Sequence, residues 1–201
     1  MDGSLLTPEL ILDAYRQGAF PMADESGDVE WYRSNARAVF DLQDFRPSRS
    51  LAKVIRQGRF RVTFDAAFRE VMRGCLRPEG NWISEDFIRV YGEIHDLGWG
   101  HSCEVWLGDA LVGGLYGIRV GRCFCAESMF HRETNASKVA LASMIFACRD
   151  AGFTLFDAQV MNAHLESMGA IEMTDGDYQI ALSKALSQDL GSKLDLNLRK
   201  S

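Results

Sequence analysis

The chain has 201 residues, of which 47% are hydrophobic and 25% charged, a balance typical of a globular protein that builds its core in one domain or two small ones. Its 28 acidic residues outnumber its 22 basic residues, which argues against a surface that binds polyanions everywhere and restricts nucleic-acid contact to a local patch. The five cysteines lack paired spacing, the sequence opens without a signal-like segment, and no stretch approaches the roughly 20 apolar residues of a membrane helix, so we expect a cytoplasmic protein with reduced thiols and no membrane partner.

The first part of the chain predicts two helices joined by an aromatic connection. Thr7 is a suitable N-cap for the first helix, which ends at Gly18, and a second helix is predicted over residues 48–57. The connecting residues 19–47 look irregular in sequence. We therefore predict a small N-terminal subdomain over residues 1–59.

Residues 60–201 predict a mixed sheet with flanking helices. Asp65 and Ser84 are expected to cap two helices, and Asn135 begins a strongly apolar third helix. Three strand-like runs separated by short glycine-containing turns predict an antiparallel meander between them. The order of strand, two helices, meander, helix, strand and helix is that of GNAT-type acetyltransferases, so we predict an α/β (α+β) fold with a GNAT-like mixed sheet. The predicted strands cover residues 60–64, 102–107, 110–120, 122–130 and 153–160.

Two polar side chains interrupt the last of these apolar strands. On a strand over residues 153–160 alternate side chains share a face, so Asp157 and Gln159 are predicted to point the same way. Two buried polar groups on one face carry a desolvation cost unless something pairs with them. We expect that partner to be the substrate.

The turn after the meander bears on the cofactor. GNAT enzymes that use acetyl-CoA hold its pyrophosphate with backbone N–H groups of a glycine-rich turn at the start of the following helix. Residues 131–137 occupy that position, contain no glycine and include Glu133. Because this turn should cradle a diphosphate poorly, we expect no cofactor and keep CoA as the alternative.

Short motifs follow one another in a fixed order along the chain. They lie at residues 18–21, 37–39, 48–51, 82–83, 101–106, 111–117, 124–130, 135–138, 157–160 and 167–170. Together, over residues 12–180, they resemble the leucyl/phenylalanyl-tRNA-protein transferase family. The resemblance implies a GNAT-like C-terminal domain and no required metal. It also implies transfer of Leu or Phe from aminoacyl-tRNA to the N-terminal amine of proteins that begin with Arg or Lys, which marks those proteins for degradation.

The resemblance assigns roles to four polar residues. Gln159 is implied to contact the attacking amine and Asp157 to orient it. Because a neutral amide is a very weak base, we expect Gln159 to align the amine and Asp157 to polarise it and assist the departure of its proton. Glu127 is implied to face the cationic side chain of the acceptor; without the resemblance it reads as a strand carboxylate paired with an internal arginine. Asn162 is implied to hydrogen-bond near the substrate, and otherwise reads as a helix cap.

Two larger sets of residues are assigned to the donor side chain and to tRNA. Without the resemblance, the residues assigned to the donor side chain are interpreted as ordinary hydrophobic core. Those assigned to tRNA are interpreted as a solvent-exposed helix face with aromatic neighbours. Met144 stands where the family has an aromatic residue, so the donor preference among Leu, Phe and Met stays open. The sequence Trp31-Tyr32-Arg33-Ser34 also departs from the usual Trp-Trp-Ser-Pro. The donor set is Leu115, Phe124, Met129, Met144 and Phe156; the tRNA set is Trp31, Tyr32, Arg49, Lys53, Arg56, Arg59, Arg61 and Trp106.

Other catalytic constellations fail on spacing. The four histidines form no metal-like pair, residues 123–125 are not a Cys-x-x-Cys site, and no Gly-x-Ser-x-Gly nucleophile elbow occurs. Three alternatives stay open: a transferase of the same family that acts on acidic N-termini, a CoA-dependent acetyltransferase, and a non-catalytic module that binds basic N-termini through Glu127.

Overall fold

The computed structural model describes residues 6–23, 29–76 and 83–188; Trp82 of the motifs above and residues 189–201 of the predicted second domain lie outside the described residues. Within these ranges the chain forms seven helices and nine strands. The helices are α1 (Pro8–Arg16), α2 (Arg49–Arg56), α3 (Phe68–Gly74), α4 (Glu85–Asp96), α5 (Ala136–Asp150), α6 (Ala163–Ser167) and α7 (Asp175–Leu186). The strands are β1 (Phe20–Ala23), β2 (Val29–Tyr32), β3 (Ala36–Phe40), β4 (Arg61–Phe64), β5 (Gly100–Leu107), β6 (Ala110–Val120), β7 (Cys123–His131), β8 (Leu155–Asp157) and β9 (Ile171–Thr174).

Seven strands form one mixed sheet in the order β4-β5-β6-β7-β8-β3-β9, and β1 and β2 form a separate hairpin. All neighbouring pairs in the large sheet are antiparallel except β7 and β8, which run parallel. Helix α5 makes the connection between these two parallel strands, as a crossover requires. The predicted mixed sheet with flanking helices is confirmed.

Helices cover both faces of the sheet, and each face has its own apolar core. Side chains of α1, α3, α4 and α7 pack on one face against Tyr116 of β6, and side chains of α2, α5 and α6 pack on the other against Leu115. Adjacent residues of one strand serve opposite cores because strand side chains alternate in direction.

Two adjacent glycines let helices approach β6 closely from both sides. A Cβ added at Gly113 would lie 2.5 Å from the Cβ of Ala136 on α5, and one added at Gly114 would lie 2.9 Å from Val71 on α3. Larger residues here would push the two helices off the sheet.

The predicted order of strand, two helices, meander, helix, strand and helix is confirmed. Thr7 and Ser84 cap α1 and α4 as expected, each through its side-chain oxygen. Ser48, the first residue of the predicted second helix, is the N-cap of α2. Asp65 is not the cap of α3: its backbone lies in the left-handed region with φ +57°, and its carboxylate accepts from the Ser102 amide at 2.8 Å.

The irregular structure predicted for residues 19–47 is wrong, because β1, β2 and β3 lie there. Strand β3 is the sixth strand of the large sheet, between β8 and β9, so part of the N-terminal segment completes the sheet of the C-terminal segment. The division at residue 59 stays a prediction. No helix in the described part of the chain is long and apolar enough to cross a membrane.

Candidate active site

A cavity lies where β7 and β8 diverge. The two strands pair only from Cys123 with Leu155 to Cys125 with Asp157; β8 then ends, while β7 continues to His131. The gap holds a cavity of about 270 Å³. Its lining consists of Pro21, Leu115, Ala126, Glu127, Ser128, Met129, Leu141, Ala158, Gln159, Val160, Asn162 and Leu165.

Glu127 is the extra residue of a β-bulge in β7. Tyr116 of β6 lies opposite Ser128, and the next residue, Gly117, lies opposite Ala126, so Glu127 has no partner in the register. A bulge changes the direction in which side chains leave the strand. It thereby accounts for the consecutive residues Ala126, Glu127 and Ser128 all lining the cavity, which regular alternation along a strand would not allow.

The carboxylate of Glu127 is only partly satisfied. Its Oε1 accepts from Nε2 of Gln159 at 2.7 Å, whereas its buried Oε2 makes no hydrogen bond of good geometry among the described residues. A further donor, the Tyr15 hydroxyl, lies beside the carboxyl and is itself within 2.9 Å of the Tyr91 hydroxyl. Burial raises the pKa of Glu127 to about 7 from the usual 4.5, and the nearby Tyr15 hydroxyl and Gln159 side-chain amide offset part of that rise. The expected structural pairing with an internal arginine is not formed within the described ranges, so the buried oxygen can accept from an incoming cation.

Gln159 lies just beyond β8 with a left-handed backbone, φ +63°. Such a conformation costs a non-glycine residue about 1 to 3 kcal/mol unless the surroundings impose it. Here the Gln159 amide donates to Oδ1 of Asp157 at 2.8 Å, and its carbonyl accepts from the amide of Ala38 at 3.0 Å. The continuous strand predicted over residues 153–160 is therefore wrong: β8 stops at Asp157, and a turn directs Gln159 towards Glu127.

Asp157 is fully buried and its carboxylate is fully paired. Its Oδ1 accepts from Nε of Arg37 at 3.2 Å as well as from the Gln159 amide, and its Oδ2 accepts from Nη2 of Arg37 and from the Tyr178 hydroxyl at 2.8 Å. Burial alone would lower the pKa of Arg37, but the charge and hydrogen bonds of Asp157 more than offset it and raise that pKa. The partner of Asp157 is thus Arg37, not the substrate that the sequence led us to expect.

The structure divides the residues predicted to receive the donor side chain. Leu115 and Met129 line the cavity. Phe124, Met144 and Phe156 are fully buried and lie in the core beneath it. Cavity-lining residues such as Leu141 of α5 were missed, because nothing local in an apolar helix distinguishes the residue that faces a cavity from its buried neighbours.

Asn162 is the helix cap that one reading predicted, and its contact with substrate stays a prediction. It is the N-cap of α6, where its Oδ1 accepts from the Leu165 amide at 2.9 Å, and it also lines the cavity. The cap holds the side chain in one orientation at the cavity wall.

The basic residues predicted to bind tRNA form an exposed surface that extends from α2. Arg49, Lys53 and Arg56 are exposed on α2 at spacings of four and three, which places them on one helix face. Arg59 forms an ion pair with Glu133 at 2.7 Å, and the Arg61 guanidinium lies 5.0 Å from the ring centroid of Trp106. Binding of tRNA to this surface stays a prediction.

The β1–β2 hairpin brings an aromatic residue towards the cavity. Trp31 is 39% exposed and lies opposite Pro21, which lines the cavity. The neighbouring Tyr32 donates to Glu30 at 3.0 Å. In the described ranges no group of three or more His, Cys, Asp or Glu side chains is placed to hold a metal ion.

Comparison with known proteins gives consistent matches along the chain. Residues 39–183 match the model of the family described as leucyl/phenylalanyl-tRNA protein transferase, and residues 4–35 match the model of its N-terminal domain. A leucyl/phenylalanyl-tRNA–protein transferase of Chlorobaculum parvum is 47% identical over 92% of this chain and 98% of that protein. One of Rubrobacter xylanophilus is 45% identical over 92% of this chain and 97% of that protein.

Solved structures show weaker likenesses. L-PGS from Bacillus licheniformis has a TM-score of 0.48 and 10% identity, over 76% of this chain and 65% of that chain. A GCN5-related N-acetyltransferase-like protein from Streptococcus suis has a TM-score of 0.39 and 19% identity, over 83% of this chain and 64% of that chain. Neither likeness carries an argument about chemistry.

Proposed function

The chain belongs to the leucyl/phenylalanyl-tRNA protein transferase family, and on this premise we propose that it transfers Leu or Phe from aminoacyl-tRNA to the N-terminal amine of proteins that begin with Arg or Lys. The product would carry a new N-terminal Leu or Phe, which marks it for degradation. The reaction is that of an aminoacyltransferase: one amide bond forms and one ester bond breaks.

The observation that carries the acceptor preference is the buried Oε2 of Glu127, which makes no hydrogen bond of good geometry within the described part of the chain. A buried carboxylate oxygen without a well-placed donor is costly, and a guanidinium or ammonium group that reaches it supplies both the hydrogen bond and the opposite charge. A neutral acceptor side chain supplies neither. The site therefore favours an acceptor whose first residue is Arg or Lys.

Because the aminoacyl ester is already activated, the protein's main task is to hold the attacking amine against the ester carbonyl. The acceptor nitrogen attacks the ester carbonyl carbon, the C–N bond forms, and the bond to the ribose oxygen of the terminal adenosine breaks. The proton leaves the nitrogen and ends on that ribose oxygen. Holding the amine in attack geometry can supply about 7 to 11 kcal/mol of the barrier.

Gln159 is the residue placed to hold the amine. Its Nε2 is engaged by Glu127, so its Oε1 is turned to the opposite side of the amide group and is available to accept from the attacking amine. Asp157, whose oxygens are all engaged by the protein, acts on the amine through Gln159 rather than by direct contact.

The remaining predicted residues divide between the two ends of the donor. Leu115 and Met129 receive its Leu or Phe side chain in the cavity, where a flexible methionine adapts to either shape. Trp31 stacks on the terminal adenosine. The exposed basic face of α2 contacts the phosphate backbone of the tRNA.

A panel of acceptors and donors tests this function. Peptides that begin with Arg, Lys, Asp, Glu or Ala are each offered radiolabelled Leu-, Phe- and Met-tRNA, and label in the peptide is measured. We expect transfer to the Arg and Lys peptides from Leu- and Phe-tRNA. Transfer to the Asp and Glu peptides instead would overturn the acceptor assignment, and tight peptide binding without any transfer would indicate a binding module.

A further inference from the structure

A buried cluster at the end of β8 joins three distant parts of the chain. Arg37 comes from β3, Asp157 ends β8, and Tyr178 lies in the first turn of α7. None of the three side chains is more than 1% exposed, so no substrate group touches them in this arrangement. Their contacts run entirely within the protein.

The cluster leaves the Asp157 carboxylate no freedom to rotate. The Arg37 guanidinium lies between the rings of Phe20 and Tyr178, at 4.7 and 4.3 Å from their centroids, and its Nη1 donates to the Gly18 carbonyl at 3.0 Å. Its Nε and Nη2 donate to the two oxygens of Asp157. The Tyr178 hydroxyl accepts from Nη2 at 3.1 Å and donates to Oδ2 of Asp157 at 2.8 Å.

The fixed carboxylate in turn fixes the backbone of Gln159. Oδ1 of Asp157 accepts from the Gln159 amide at 2.8 Å, and β3, the strand that carries Arg37, donates from Ala38 to the Gln159 carbonyl at 3.0 Å. These two contacts hold Gln159 at its left-handed φ of +63°. From that backbone the Gln159 side chain reaches Glu127.

We propose that Arg37 and Tyr178 are positioning residues of the transfer reaction: they fix Asp157, and Asp157 fixes the backbone of Gln159 so that its side-chain oxygen meets the amine. The inference rests on the proposed role of Gln159. Displacement of a reacting group by about 1 Å can cost roughly a hundredfold in rate, so a contact two residues removed from the substrate can still control turnover.

The variant Tyr178→Phe tests this role, because it removes the hydroxyl and leaves the ring on the Arg37 guanidinium. Transfer from Phe-tRNA to an Arg-starting peptide is measured in the full chain under saturating and limiting substrate. We expect kcat to fall about ten- to a hundredfold while the Kd for Phe-tRNA stays unchanged. Hydrogen exchange of the Gln159 amide should become faster, since its acceptor is no longer held.

Leu182→Val is the matched control. Leu182 is 1% exposed on the same helix, and its side chain has no polar group to offer the cluster. It should lower thermal stability with kcat unchanged. If Tyr178→Phe behaves like Leu182→Val, with a lower Tm and full turnover, Tyr178 is a structural residue and the proposal is wrong.

A double-mutant cycle tests whether Tyr178 affects turnover through Gln159 or independently of it. In a Gln159→Ala background Tyr178→Phe should change kcat by less than about twofold, because the group it positions is absent. If the fold-decreases in kcat of the two single variants instead multiply in the double variant, the proposal is contradicted. Full turnover in Gln159→Ala alone would overturn the role of Gln159 and this inference with it, whereas transfer by the unmodified chain would still establish the proposed function.

Discussion

Asp157 and Glu127 are carboxylates on the two strands that diverge around the cavity, and the protein treats them in opposite ways. Asp157 is paired on every side by Arg37, Tyr178 and the Gln159 amide. Glu127 has one oxygen bound by Gln159 and one buried without a hydrogen bond of good geometry within the described ranges. A carboxylate that is completed internally suits a positioning role, and one that is left incomplete suits recognition of a cation. Gln159 joins the two, since its backbone is held by the first and its side chain contacts the second.

The largest effect is expected from removal of the Asp157 carboxylate, which is fully hydrogen-bonded inside the protein. Asp157→Ala leaves Arg37 buried without its counter-charge, which should lower the free energy of unfolding by about 3 to 5 kcal/mol and also reduce turnover strongly. Gln159→Ala should reduce turnover to a similar degree with little loss of stability. Denaturant unfolding and transfer assays measure both, with the Kd for Phe-tRNA as a control. Losses in tRNA affinity as large as those in turnover would argue against a role of either residue in the transfer step.

Glu127→Gln should have a smaller effect on catalysis, seen in acceptor choice. It keeps the shape of the side chain and removes the negative charge that pairs with the side chain of a basic acceptor. Since a charge-assisted hydrogen bond contributes roughly 1.5 to 3 kcal/mol, the advantage of an Arg-starting over an Ala-starting peptide in kcat/KM should shrink by about one to two orders of magnitude. An unchanged ratio would place acceptor recognition elsewhere.

The same variant should change stability with the opposite sign to Asp157→Ala. Glu127 has a pKa of about 7 in the folded protein against a usual 4.5, so the folded state binds the proton more tightly and loses stability as pH rises from 4.5 to 7. Glu127→Gln removes that loss. It should therefore gain about 1 to 3 kcal/mol over the unmodified chain at pH 8 and nothing at pH 4. A loss of stability at pH 8 would make Glu127 a structural residue like Asp157.

The pH dependence of acceptor choice provides a further comparison. Because burial raises the pKa of Glu127 to about 7, the carboxyl is neutral at low pH and cannot form an ion pair with the acceptor's cationic side chain. The ratio of kcat/KM for Arg-starting over Ala-starting peptides should fall about five- to tenfold from pH 8 to pH 6, and the protonation of the peptide amine cancels in this ratio. The ratio should be flat with pH in Glu127→Gln. A flat profile in the unmodified chain would show that the carboxyl does not titrate in this range.

The smallest effect is expected on tRNA binding. Arg56→Ala removes an exposed charge from α2 and should weaken tRNA binding severalfold and reduce the slope of log K against log salt by about one unit, with donor choice unchanged. Arg59→Ala should do the same less strongly, because Arg59 is already paired with Glu133. Arg89→Ala on α4, where Arg89 pairs with Glu93, serves as the control. A salt slope equal to that of the control would show that the basic face of α2 is solvent-exposed and does not contact tRNA.

Elements with local signals were predicted well from the sequence. The N-caps at Thr7 and Ser84 and the glycine-separated runs of the meander are encoded by residues close to one another, and the order of elements follows from them. The three strands within residues 19–47 were missed. Strand β3 is stable because β8 and β9 lie on either side of it, and both are more than 110 residues away in sequence.

The sequence by itself determined the family and the order of helices and strands, and it singled out Glu127 and Gln159, which line the cavity, and Asp157, which lies beneath it. Arg37 left a signal that was not used: it is a lone charge in the apolar run of residues 36–40, which favours a buried partner. Tyr178 left none. The bulge at Glu127, the turn at Gln159 and the pairing of Asp157 with Arg37 were decided only in the folded chain. The bulge depends on the exact register of β6 against β7, whereas the pairing of Asp157 and the backbone contact of β3 with Gln159 join segments far apart in sequence. Local periodicity carries no information about either.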